Sequence, residues 1–103
     1  MLQINIQPLP AQTFRVVLNE QECTISLYQR AGRLFLDLGV GDTQICQGSI
    51  CQNGADVVQN ATLDFVGQLR WVDTRGDSPP QWDGIGERYF LIYLMPEEVG
   101  KNA

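Results

Sequence analysis

The chain has 103 residues, 44% hydrophobic and 18% charged, with seven Lys+Arg against twelve Asp+Glu and a formal net charge of −5. One domain fits that length, because two would each be too small to bury a core, and folding then hides roughly two-thirds of the unfolded surface without metal or disulfide staples. No run approaches the ~20 apolar residues of a membrane-spanning helix, the acidic balance lacks the clustered Lys and Arg that nucleic acid requires, and the absence of histidine removes the commonest general base and metal ligand.

The opening MLQINIQPLP has neither a basic n-region nor an apolar h-region, so no signal peptide is expected. The dominant period along the chain is two rather than 3.6, which predicts an all-β domain. Ile4 and Ile6 alternate with Asn5 and Gln7 before Pro8 and Pro10 interrupt, predicting a short edge strand. Phe14, Val16 and Leu18 then alternate with Arg15 and Val17, and across the polar turn Asn19-Glu20-Gln21-Glu22 the run Cys23, Ile25, Leu27 resumes, which predicts a hairpin.

After Ala31-Gly32, Leu34, Leu36, Leu38 and Val40 share one face, with Phe35 and Asp37 on the other. The turn signal Gly41-Asp42 precedes a further short strand beginning at Ile45, and residues 48–56 read as a loop or irregular connection. Phe65, Gly67, Leu69 and Trp71 form one face of the next strand, where Gly67 predicts a bulge or a close backbone approach. DTRGDSPPQWDGIG, residues 73–86, is the longest stretch without periodicity, and loops of that length are usually functional or bound to partners.

The last strand, Arg88 to Met95, is apolar on both faces, so it is expected to lie centrally in the domain or against a neighbouring subunit. These runs predict a single compact antiparallel β-barrel or β-sandwich of about seven or eight short strands, two architectures that periodicity cannot separate. The domain is expected over residues 1–95, followed by a flexible polar tail over 96–103 with no helix signal.

Candidate chemistry is sparse. Cys23, Cys46 and Cys51 are too few and too poorly spaced for a zinc site. Their odd number without a signal peptide favours free thiols, although Cys46 and Cys51 can pair if their strand ends face one another. Asp73, Asp77 and Asp83 do not match the calcium-loop template, and turn formation accounts for them better than metal or acid–base chemistry. Gly84-Ile85-Gly86 precedes a strand rather than a helix, so nucleotide binding is rejected. Trp71, Trp82, Tyr89 and Tyr93 read either as core and interface anchors or as a stacking platform.

Charge and polarity carry one further hint. There is a single lysine, Lys101, against six arginines, and eleven glutamines supply uncharged hydrogen bonding. Arginine is enriched and lysine depleted at protein interfaces, so this surface suits either subunit packing or plain solvation. Residues 1–36 sum to +1 and residues 37–103 to −6, which can orient a subunit within a patterned assembly.

Several strings taken together are informative: CTISLYQR at 23–30, LFLDL at 34–38, CQN at 51–53, FVGQLRWVDTRGD at 65–77 and GIGERYFLIYL at 84–94. In their order and spacing, from about Ile6 to Leu94, they resemble the small baseplate plug family of contractile-tailed bacteriophages. The resemblance implies a virion structural protein of a phage or prophage, made in the host cytoplasm and placed in the tail baseplate near the junction of tube and hub-spike. Its partners would be tube and hub-spike subunits, with a homo-oligomer as a further option and neither nucleic acid nor membrane involved. It implies no catalysis and no cofactor.

The recurring residues Gln29, Arg30, Asp37, Asp73, Gly76, Gly86, Arg88 and Tyr89 would then serve folding or subunit contacts, and the candidate interface residues are Arg30, Arg75, Trp82 and Arg88. Pro79-Pro80 and Glu20 depart from the family pattern, the latter standing where glycine is expected in the turn. The competing reading from another class is a small ligand-binding β module, for instance one stacking a sugar ring on Trp82 and Tyr28.

Overall fold

The computed structural model describes residues 2–54, 56–58 and 65–101. Its strands are β1 (Leu2–Ile4), β2 (Ala11–Leu18), β3 (Gln21–Arg30), β4 (Arg33–Val40), β5 (Thr43–Ile50), β6 (Gln68–Asp73) and β7 (Tyr89–Leu94), followed by a short helix α1 (Pro96–Lys101). They form two antiparallel sheets, β1-β7-β6 and β2-β3-β4-β5, stacked as an open sandwich rather than closed as a barrel.

The larger sheet is a meander of three hairpins, each closed by a two-residue turn. Two-residue turns match the strand twist only when the backbone enters the left-handed region. Asn19 and Glu20 have φ of 51° and 64°, Ala31 and Gly32 have 52° and 80°, and Gly41 has 56°. The register that follows, Phe14 opposite Ile25 and Leu27 opposite Leu36, puts Leu18, Cys23, Ile25, Leu27, Leu34, Leu36 and Leu38 on one face, each at most 1% exposed. They pack against Ile4, Leu69, Trp71, Tyr89, Leu91 and Tyr93 of the smaller sheet in a continuous core.

Glu20 carries a penalty that Asn19 largely escapes, because a long side chain in the left-handed region clashes with its own backbone. Glu20→Gly is therefore expected to stabilise the protein by about 1 kcal/mol, the relief of strain exceeding the extra freedom that glycine gives the unfolded chain. A urea titration checks it, and an unchanged or lowered midpoint would contradict the strain at that turn.

Two expectations need correction. Residues 48–50 are not loop but the end of β5, reached through a bulge: Leu36 faces Ser49 while Leu38 faces Cys46. One extra residue is absorbed by Gly48 at φ 65°, whose N–H donates to Asp37 Oδ1 at 2.6 Å, and that carboxylate also accepts from Tyr28 Oη at 3.1 Å. The last strand is central in the three-stranded sheet, between β1 and β6, as one of its two expected placements has it; Tyr89, Leu91 and Tyr93 face the core, and on its other face Leu94 is buried while Phe90 and Ile92 are half-buried. Finally, the polar end has helical structure: α1 begins at Pro96, a residue pre-set for a first helical turn, and Glu98 Oε1 reaches back to accept the Met95 N–H at 3.0 Å.

Candidate functional site

β6 and β7 are joined by residues 74–88, the stretch without periodicity, and an orderly network holds this connection in place. Asp73 ends β6 with its side chain fully buried. Its carboxylate accepts four hydrogen bonds: from the backbone N–H of Arg75 at 3.0 Å and of Ser78 at 2.9 Å, and from Arg88 Nε at 2.7 Å and Nη2 at 2.8 Å. Arg88 Nη2 also donates to Ser78 Oγ at 3.0 Å, and the guanidinium lies 5.0 Å from the Tyr89 ring centroid.

A planar guanidinium against a planar carboxylate gives two parallel charge-assisted bonds, the strongest pairing available to side chains. The Arg88 bonds, aided by the two backbone N–H donors, hold the Asp73 carboxyl far below the usual carboxylate range against the opposing effect of its burial. Thr74 closes the neck of the loop, since its N–H and Oγ1 both reach the Arg88 carbonyl at 2.9 Å. Asn53 braces the near side, accepting the Asp73 N–H at 2.8 Å and donating to Asp77 Oδ1 at 2.6 Å.

The far side of the loop is anchored on the tip of the β3–β4 hairpin by glutamines. Gln29 Nε2 donates to Gln81 Oε1 at 2.9 Å, Gln29 Oε1 accepts the Trp82 N–H at 3.3 Å, and Gln81 Nε2 donates to the Gly32 carbonyl at 3.2 Å. Between these anchors, Trp82–Gly84 make a 3-10 turn that seats the indole half-buried against the core. Pro80 is fully buried, so packing holds the Pro79-Pro80 pair in place.

The candidate residues are distributed accordingly. Arg30 and Trp82 stand at the same end of the sandwich, linked through Gln29 and Gln81, and Arg75 lies exposed on the same loop. Arg88 is turned inward onto Asp73 and organises the loop. Trp71, Tyr89 and Tyr93 are buried, which makes them core and removes them from any stacking platform. Tyr28 stacks on Phe35 with ring centroids 5.8 Å apart, on the opposite face of β3 from Gln29 and therefore away from Trp82. A surface hollow of about 380 Å³ bordered by Arg15, Val17, Glu22, Thr24 and Asp42 contains no aromatic side chain.

Cys23, Cys46 and Cys51 are free thiols. Burial pushes the Cys51 thiol up to about 12, outweighing its interaction with Trp71, so it behaves as a core side chain rather than a nucleophile. Among the described residues no group of three or more Cys, Asp or Glu side chains converges on a common point, and no helix is long and apolar enough to cross a membrane.

Sequence reasoning found the loop and its polar composition but missed Asn53, Gln29 and Gln81 as its anchors. The strings CQN and CTISLYQR contain two of the three, and no local signal marks their partners.

The fold defines a small all-β protein, an open two-sheet β-sandwich whose 74–88 loop is braced internally. The profile of the family described as cyanophage baseplate Pam3 plug gp18 matches residues 1–97, and the chain belongs to that family. No curated protein matches it.

Proposed function

We propose that this protein is a structural component of a phage tail baseplate, a plug at the junction of tube and hub-spike that acts through protein–protein contacts and without catalysis. The family match over residues 1–97 carries the reading. The rigidly held 74–88 loop supports it, because presenting Trp82, Arg75 and the neighbouring Arg30 on a braced platform lowers the ordering cost of binding a partner. Tube and hub-spike subunits, or further copies of the chain, are the partners in this reading, and its location is the virion. Arg88 contributes indirectly, by fixing the loop.

Quantitative mass spectrometry of purified tail particles tests the proposal. A few copies per particle relative to the tube subunit are expected, and absence from intact particles would overturn it. Trp82→Ala is expected to lower incorporation severalfold, as removal of a central aromatic anchor does at other interfaces. Because the indole also packs on the core, the melting temperature of the isolated variant is measured alongside. Undiminished incorporation would remove Trp82 from the contact.

A further inference from the structure

Arg30 and Arg33 flank the Ala31-Gly32 turn and face one another in register across the β3–β4 hairpin. Like charges directly opposite in an antiparallel pair destabilise it. Both are left without a counter-charge: among the described residues neither guanidinium makes an ion pair or a hydrogen bond, whereas Arg70 and Arg88 are each committed to an internal aspartate. Arg33 Nε is moreover buried with no acceptor among the described residues, so its desolvation goes uncompensated there. Arg30 is exposed and partly held by the Tyr28 ring, 5.5 Å away at its centroid.

The chain carries twelve acidic residues and a net charge of −5, yet among the described residues none pairs with Arg30 or Arg33. We infer that the β3–β4 tip, through Arg30 and Arg33, receives a carboxylate-bearing segment of a neighbouring baseplate subunit. This deepens the baseplate reading and rests on it. Two guanidiniums across a two-residue turn offer the forked donors that suit planar carboxylates, and one incoming acid between their exposed N–H groups would cancel the repulsion. The strongly acidic remainder of the chain opposes a nucleic-acid backbone as the occupant. The tip adjoins Trp82 through Gln81 and Gly32, so it is continuous with the proposed contact.

The test compares particles assembled with the unaltered chain and with Arg30→Glu or Arg33→Glu. Each reversal turns a like-charge pair into an opposite one, so the isolated variants are expected to melt at or above the unaltered temperature while incorporation falls about tenfold or more. In parallel, Arg30→Lys and Arg33→Lys provide amines for zero-length carbodiimide coupling in intact particles, and products joined to Asp or Glu of another baseplate protein are expected. Normal incorporation of both reversal variants, or coupling only to another copy of this chain, would overturn the inference while leaving the baseplate reading standing. Absence of the unaltered protein from particles would overturn both.

Discussion

Gly67→Ala is expected to lower the melting temperature by roughly 10 °C or more, the largest effect of any single methyl group added to this protein. Gly67 sits immediately before β6 at φ +97°, a conformation costly for any other residue. A Cβ built there would stand 2.6 Å from the Leu94 carbonyl oxygen and would overlap the Tyr93 hydroxyl. Neither neighbour can yield cheaply. Leu94 is backbone at the end of a central strand, and the Tyr93 hydroxyl donates to the Val66 carbonyl.

Val66 is held in turn by Gln21, whose Oε1 accepts the Val66 N–H at 2.8 Å and whose Nε2 donates to the Val66 carbonyl at 3.1 Å. The added methyl therefore opens a junction between the two sheets as well as straining one residue. Gly32→Ala provides the control, since its φ is +80° but no atom lies within 4 Å of its Cβ position. Thermal melts of the two variants separate the contributions: Gly32→Ala reports backbone strain alone, and the excess at Gly67 reports the close approach. Equal losses would show that the strand junction has room.

Asp73→Asn is expected to release the 74–88 loop and to lower the melting temperature on the order of 10 °C, because it discharges a buried carboxylate that accepts four hydrogen bonds and leaves Arg88 without its counter-ion. Hydrogen exchange locates the damage: protection should disappear at the amides of Arg75 and Ser78 while persisting at Ile25 and Leu36 in the opposite sheet. Undiminished protection in the loop would mean that Asn53 and the glutamines suffice without the ion pair.

The same carboxylate sets an acid dependence. Arg88 depresses its folded-state pKa, so as pH falls below the ordinary carboxylate value of about 4 the unfolded chain binds a proton before the folded one does. The stability it supplies is complete above that value and is lost progressively toward its much lower folded-state pKa. Melting temperature against pH should consequently fall more steeply in acid for the unaltered protein than for Asp73→Asn, and the two curves should converge. Parallel curves would dissociate acid sensitivity from this pair.

The alternation of Ile25 and Leu27, and of Leu34, Leu36 and Leu38, identified the core face because a strand's side chains switch sides at every residue, a purely local property. Ala31-Gly32 and Gly41-Asp42 were equally legible as turns. Glu20 shows the limit of that reading: its left-handed backbone is imposed by the hairpin against the preference of the residue. The bulge at Gly48 was invisible because Asp37, eleven residues away, supports it. The loop was recognised by its lack of periodicity, but its rigidity was not.

Composition left the eleven glutamines as either interface or solvated surface, and several do neither. Gln21 clamps Val66, and Gln68 makes the same two-way amide pairing with Val58, at 2.9 and 3.1 Å. Gln29 and Gln81 tie the loop to a hairpin 52 residues away. By itself the sequence determined an all-β domain with its core face and hairpin turns, because period and turn chemistry act over a few neighbouring residues. Which sheets stack, that the sandwich stays open, and which carboxylate and amide side chains brace the loop were decided only by tertiary structure, because those partners meet only when strands distant in the chain are brought face to face and burial obliges their polar groups to pair with one another.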